Sequence, residues 1–432
     1  MFSFSKIHYK VQGRSHFFFP LMARVEQIFS RPRVDNVAAT LAEEFEKIKG
    51  MDLEGKRIAI TAGSRGIPNI PEIIRVLGAL LKGRGAHPFV VPAMGSHGNA
   101  TAAGQKQVLK NLGIIEESIG MEICASMDTE CIGHVRDRIP IYFDRFALQA
   151  DGVVVCGRIK PHTDYRGDIE SGICKMMAIG LGNHKGASTL HQEGQQNFSW
   201  LIPEVATLCL EKARIIFGVG IIDNAYHETA KIAILRPEEI IEKEKTLLRE
   251  ARSLMAKLYF EDIDVLIVDT IGKEISGAGM DPNVIGRTIT RSSGFDQIKI
   301  KRIVVLGLSQ ASGGHASGLC LADITTLAVA NAVDFAKTYT NSIASSCPEG
   351  GHLPMVLNND RDAIMVAILT SNKISSQEVK AIHIASTLNL GEISVSQALL
   401  PQVRANDRCR ILSKPSRLKF DEEGHLKPVF TT

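Results

Sequence analysis

Three short apolar runs, each followed at once by a glycine-rich polar segment, constrain this chain more than any other feature. RIAIT (57–61) leads into TAGSRGIPNIP (61–71), and PFVVP (88–92) into PAMGSHGNAT (92–101). GVVVC (152–156) leads into GRIKPHTDYRGDIESGICKMMAIGLGNHKGASTLHQEG (157–194). Each run reads as a strand. Amphipathic patterns lie between them. Residues 71–82 place Ile73, Ile74, Val76, Leu77, Leu80 and Leu81 on one side, and residues 99–112 read as a second helix with Thr101 as a candidate cap. Alternation of strand and helix over residues 56–223 requires a mostly parallel sheet covered on both faces.

In an open α/β sheet the carboxyl ends of the parallel strands share one edge, and ligands bind there. Arg65, His97 and His162 each fall just past such an end. The third segment adds Lys175, His184, Lys185 and His191. Lys175 is set among Ile173, Cys174, Met176, Met177, Ala178 and Ile179, where an amine is partly desolvated. Desolvation lowers its pKa and frees its lone pair, as covalent chemistry requires. Taken singly, each residue also has a plain explanation: a loop histidine, a surface helix residue, a lysine that snorkels.

At 432 residues the chain is too long for one typical core, so two α/β domains with mostly parallel sheets are expected. A helix over residues 236–260 marks the boundary, with Pro237 in its first turn and Glu238 and Glu239 at the positive end of its dipole. The expected division is residues 1–260, carrying the motifs, and residues 261–432, completing the substrate site, with the active site in the crevice between the domains. The second domain opens with VLIV (265–268). Apolar runs follow at 303–308, 364–369 and 382–385, with a long alanine-rich helix near 322–345.

A formal net charge of +3, with no aromatics interleaved among the basic residues, argues against a nucleic-acid surface. The eight cysteines form no CxxC and read as reduced thiols, which places the chain in the cytoplasm. HFFFPLM (16–22) is too short for a signal peptide and is broken by Pro20, and no apolar run approaches the ~20 residues a membrane span needs.

With Arg65 in AGSRGIP, His97 in GSHG, His162 in KPH, Lys175 in SGICKMMAIGLG and His191 sixteen residues beyond it, the chain resembles the lactate racemase family of nickel-pincer-dependent 2-hydroxyacid racemases and epimerases. The resemblance is densest over residues 61–194. It implies a cofactor, pyridinium-3,5-bisthiocarboxylic acid mononucleotide carrying nickel. Lys175 matches the family lysine that forms a thioamide with that cofactor, and His191 the histidine that ligates the nickel. His97 and His162 match the two acid/base histidines, and Arg65 an arginine that holds the substrate carboxylate. Arg287, in MDPNVIGR, stands near the place of a second-domain cation with a similar task. Two positions depart from the family pattern. Ala62 stands where an acidic residue usually precedes the arginine by three positions, and Gly95-Ser96-His97-Gly98 replaces the usual G-T-H-R. Asp164, Arg166, Asp168 and Glu170 make the loop after His162 more charged than a lactate site needs, which points to a larger, more polar 2-hydroxy acid.

The residue types suit that chemistry. Inverting the C2 centre of a 2-hydroxy acid means moving a hydride, and side chains cannot accept one, so a cofactor must. Two imidazoles can each serve one enantiomer's hydroxyl, and an arginine can hold the carboxylate in a bidentate pair. Three other readings remain open. A Rossmann-type NAD enzyme lacks its G-x-G-x-x-G here. A Schiff-base enzyme would use Lys175 on a carbonyl. A binding protein of the same fold would have lost catalysis.

Overall fold

The computed structural model describes residues 3–10, 17–345, 347–373 and 375–430; His16, the first residue of HFFFPLM, lies outside them. In chain order the strands are β1 (Met22–Gln27), β2 (Arg57–Ala62), β3 (His87–Pro92), β4 (Thr129–Val135), β5 (Ile139–Asp144), β6 (Gly152–Arg158), β7 (Ile215–Asp223) and β8 (Thr229–Leu235). They continue as β9 (Asp262–Val268), β10 (Lys299–Val305), β11 (Ile324–Thr326), β12 (Met355–Leu357), β13 (Ala381–Ile384), β14 (Glu392–Ser396) and β15 (Cys409–Ile411). The fold is α/β, with mixed, mostly parallel sheets.

Two compact units form, Ser30–Met255 and a second made of Met1–Phe29 with Ala256–Thr432. The division expected at residue 260 therefore needs a correction. The first 29 residues join the second unit because β1 pairs antiparallel with β14 and β15.

In the first unit a five-stranded sheet runs β3-β2-β6-β7-β8, parallel except for β8. Its strands are apolar at consecutive positions because both faces are covered. Ile58, Ile60, Val154 and Phe217 enter one core, and Ala59, Val153 and Val155 enter the other. The helix Ile70–Lys82 buries Ile73, Ile74 and Leu77 completely, each worth ~1.5–3 kcal/mol of transfer free energy. Thr101 caps the next helix, Ala102–Asn111, its side chain accepting the Gly104 N–H. The boundary helix is shorter than its pattern: a 3-10 turn at Pro237–Glu239 leads into Ile240–Leu254.

The second unit holds an eight-stranded sheet, β12-β11-β10-β9-β13-β14-β1-β15, parallel from β12 to β13. Two expectations fail here. The alanine-rich segment is not one helix, because two side chains cap new starts inside it. Thr326 accepts the Val329 N–H and Asp334 accepts the Lys337 N–H, leaving β11 and the helices Leu327–Ala332 and Phe335–Ala344. The run at 364–369 is the end of a helix, Asp360–Leu369, capped by Asn359. A short apolar run has no period that separates a buried strand from a buried helix.

Among the described residues, no helix is long and apolar enough to cross a membrane. All eight cysteines are free thiols.

Candidate functional site

β2, β3 and β6 are parallel neighbours, so their carboxyl ends open on one edge of the first unit's sheet. Arg65, His97 and His162 stand just past those ends. The lysine segment is packed onto the same edge. A Cβ on Gly63 would come within 3.3 Å of Met176 Cε, and one on Gly157 within 2.9 Å of Met176 Cγ. The Gly95 N–H donates to the Gly180 carbonyl at 3.1 Å. All three strand-end loops thus meet the segment that carries Lys175.

That segment is a single α turn, Ile173–Lys175, continued by a π-helical stretch, Met176–Gly180. The Leu181 N–H reaches back five residues to the Met176 carbonyl at 2.9 Å. Such wide turns recur at functional sites, because they rotate the side chains on either side of them. Below the start of the turn sits Glu244, buried in the helix Ile240–Leu254. Its Oε2 accepts the Cys174 N–H at 3.0 Å, while its Oε1 is buried with no hydrogen-bond partner. Burial raises the Glu244 pKa to about 7, against the opposing effect of the Cys174 bond.

Lys175, His162 and His191 converge on two aromatic rings that the sequence did not single out. The Lys175 Nζ lies over the Tyr165 ring, 5.8 Å from its centroid. The His162 ring is 4.5 Å from Tyr165, Tyr165 packs edge-on to Phe198 at 5.6 Å, and His191 lies 5.2 Å from Phe198. Tyr165 is fixed from behind, since its hydroxyl donates to the Glu170 carbonyl at 2.7 Å. These apolar walls explain the ionisation of the polar groups. Burial, opposed by Asp164 and aided by Arg65, lowers the Lys175 pKa to about 8. Burial, and then Lys175, lowers His191 to about 4. Burial, and then the Lys175 charge, holds His162 well below the ordinary histidine value. Both imidazoles are neutral near pH 7 by this account, and a neutral imidazole is the form that binds a metal.

The loop after His162 is held by Glu170, whose side chain is fully buried. It accepts the His162 N–H at 2.6 Å, the Gly167 N–H at 3.1 Å and the guanidinium of Arg252. Glu170 is thus a structural charge of this loop. On the neighbouring loop, Ser64 Oγ lies 2.5 Å from His97 Nδ1. His97 and Arg65 are exposed. His184 and Lys185 lie on the helix Asn183–Gln192, and Lys185 Nζ sits over the Tyr142 ring at 4.1 Å.

Arg287 is placed elsewhere, and its expected role in holding substrate needs a correction. Its guanidinium donates to Asp323 Oδ2 at 2.9 Å, to the Leu321 carbonyl at 2.9 Å and to the Ile300 carbonyl at 2.8 Å. Ile300 is the second residue of β10 and Asp323 precedes β11, so Arg287 clamps the amino edge of its sheet. Ligands bind at the opposite edge.

The residues present suit a nickel-bearing cofactor of the kind the resemblance implies. His191 Nδ1 is buried with no hydrogen-bond partner, an open donor for a metal. Lys175 offers an amine whose pKa, lowered to about 8, gives it a larger neutral fraction than an exposed lysine has. Among the described residues, no group of three or more His, Cys, Asp or Glu side chains is arranged to hold a metal, so most ligands would have to come from the cofactor itself.

Of the residues missed, Glu244 had a signal: it falls in the buried stripe Ile240, Leu247, Leu248 and Ala251 of its helix. Tyr165 and Phe198 had none, and Glu170 was visible only as one of the charges of its loop.

No family model matches the chain, and no curated protein matches it significantly. Among solved structures, a crystal structure of a protein from Thermotoga maritima matches over 65% of this chain and 72% of its own, at 15% identity and a TM-score of 0.49. The lactate racemase apoprotein from Thermoanaerobacterium thermosaccharolyticum matches over 71% of this chain and 72% of its own, at 14% identity and a TM-score of 0.43.

Proposed function

We propose that the chain is a racemase or epimerase inverting the C2 centre of a 2-hydroxy acid, with a nickel-pincer nucleotide as cofactor. The observation that carries this reading is the convergence of the Lys175 amine, the open His191 Nδ1 and the His162 ring on Tyr165 and Phe198. When bound, such a cofactor supplies the hydride acceptor that side chains cannot provide. Lys175 would tether it and His191 would ligate its metal. Arg65 would hold the substrate carboxylate. The acid/base and hydrogen-bonding work at the substrate hydroxyl falls to His97 and His162.

The two histidines are set up differently. Ser64 Oγ can accept from His97 Nδ1–H or donate to the bare nitrogen, so His97 can present either tautomer. His162 Nδ1 accepts the backbone N–H of Asp164 at 3.0 Å, which leaves its proton on Nε2. In this arrangement His97 is the base, taking the hydroxyl proton, and His162 is the hydrogen-bond donor to the carbonyl oxygen of the 2-oxo intermediate.

The depressed Lys175 pKa favours a second reading, a Schiff-base enzyme acting on a carbonyl substrate. One experiment separates them. The protein is produced together with cofactor-synthesis enzymes, then analysed by intact mass, nickel content and a chiral assay over a panel of hydroxy acids. A mass adduct lost in Lys175→Ala, with about one nickel per chain by the single-site logic of His191, supports the racemase. Borohydride trapping of a keto acid on Lys175, without nickel, supports the Schiff base. Neither adduct nor trapping removes both readings and leaves a binding protein.

A further inference from the structure

The proposed chemistry uses no side chain of the second unit, yet that unit carries its own donor-lined cluster at the carboxyl edge of its sheet. Two loops build it. Residues 269–281 follow β9 and contain GKEISGAG, and residues 306–318 follow β10 and contain SGGHASG. A parallel bridge between Ile271 and Leu308 joins their bases. Farther out they interlock through two glycines with positive φ, Gly279 at 81° and Gly318 at 87°. A Cβ on Gly279 would stand 1.6 Å from the Ser317 carbonyl oxygen, and one on Gly318 2.0 Å from the Ala278 carbonyl oxygen. Only glycine permits so close an approach of two backbones.

The interlock gathers Lys273, His315 and Ser317 around Asn341 of the helix Phe335–Ala344, with Ser276 on the first of the two loops. Lys273 Nζ donates to Asn341 Oδ1 at 2.5 Å, and Asn341 Nδ2 donates to Ser317 Oγ at 3.4 Å. The Ser317 N–H donates to His315 Nδ1 at 3.3 Å, which puts the proton of the neutral ring on Nε2. Burial, and then Lys273, keeps His315 below the ordinary histidine pKa, so the ring is neutral. That Nε2–H is buried and makes no hydrogen bond of good geometry, although Asn341 stands close enough to influence the ring, and the hydroxyl oxygen of Ser276 is buried with no hydrogen-bond partner. His315 is only 9% exposed and Ser276 8%. A buried polar group left unpaired is costly, and such groups in a native fold point to a missing partner. Here the cluster offers an ammonium, an imidazole N–H and hydroxyls. Glu274, the neighbouring carboxylate on the first loop, is exposed.

We propose that these two loops bind an oxyanion, a carboxylate or phosphate group of a small molecule, with Lys273 supplying the charge and His315 Nε2–H and the Ser276 hydroxyl supplying hydrogen bonds. The site rests on the second unit alone and does not depend on the racemase reading. Titration calorimetry of the full chain with inorganic phosphate, and separately with succinate, tests it. Saturable binding is expected for at least one probe, weakened about tenfold or more by Lys273→Met and by His315→Leu, as loss of a charge-assisted bond implies. Lys212→Met, at an exposed position of the other unit that has no part in the proposed chemistry, should bind as wild type does. A response to phosphate alone identifies a phosphate site, and a response to succinate alone a carboxylate site. Lys273 is only partly buried, so Lys273→Met keeps the test decisive if His315→Leu does not fold. Binding of neither probe, binding that Lys273→Met leaves unchanged, or binding that Lys212→Met abolishes would overturn the proposal.

Discussion

The backbone N–H of Asp164 donates to Nδ1 of His162 at 3.0 Å, and that one bond fixes which ring nitrogen carries the proton. A backbone amide can only donate, so Nδ1 is bare and Nε2 is protonated. The Asp164 carboxylate stands 3.8 Å from Nδ1, too far to hold a proton there by a hydrogen bond. His162 is therefore a donor before it is a base. His162→Gln keeps an N–H donor of similar reach and should retain more activity than His162→Ala. His97→Gln, which removes a base, should lose the ~10²–10⁴-fold typical of a general base. Equal losses in His162→Gln and His162→Ala, measured as single-turnover rates, would show that donation is not the role of His162.

Ser64 gives a second prediction. Its hydroxyl lies 2.5 Å from His97 Nδ1 and holds the ring in place while allowing either tautomer. Ser64→Ala should lower kcat by about tenfold, as expected for loss of one hydrogen bond worth about 1.4 kcal/mol, and leave KM nearly unchanged. It should also change the nitrogen chemical shifts of His97 in the folded protein, a readout independent of turnover. Ring nitrogen shifts identical to wild type would remove Ser64 from the account.

The errors and the omissions have separable physical causes. Strand ends and their loops were legible because a strand buried on both faces reads as a continuous apolar run, and because glycine marks where such runs stop. Arg65, His97 and His162 were found that way. Tyr165 and Phe198 meet across 33 positions of chain with no local pattern between them, so their pairing exists only in the folded unit. Arg287 was misplaced because sequence shows that a loop follows β9 but not that the loop has already returned to the amino edge, where β10 begins. The alanine-rich run reads as one helix because Thr326 and Asp334 carry no signal until each is seen accepting an N–H three residues ahead.

Arg287 itself yields a third prediction. It ties the Leu321 and Ile300 carbonyls to the Asp323 carboxylate, and Asp323 in turn accepts the Ile303 N–H at 2.7 Å. Both members of the pair are roughly 30% exposed at the side chain, which screens the charge term. Arg287→Ala should cost about 1–3 kcal/mol, mostly from carbonyls left unpaired, and lower Tm by roughly 2–10 °C for a unit of this size. KM for the hydroxy acid should not move. A raised KM at unchanged Tm would restore Arg287 to the substrate site.

Glu244 makes the stability of the first unit depend on pH. Burial raises its pKa to about 7 from the ordinary glutamate value of 4.5. Between those two values the folded protein binds more protons at this site than the unfolded chain does. Stability therefore falls as pH rises through that window, and the full penalty is present above about pH 7, where the carboxylate is charged and its Oε1 has no partner. The shift corresponds to about 3 kcal/mol. Glu244→Gln keeps an acceptor for the Cys174 N–H and removes the charge. Urea unfolding of wild type and variant should therefore agree most closely near pH 4.5 and diverge in favour of the variant as pH approaches 8. Because Glu244 supports the turn that carries Lys175, the same substitution should leave the apparent pKa for amine labelling of Lys175 close to about 8, where burial and not Glu244 sets it. A stability difference that stays constant across this pH range would show that Glu244 is not the group that titrates. A Lys175 labelling pKa back near 10.5 in the variant would show instead that the turn had opened.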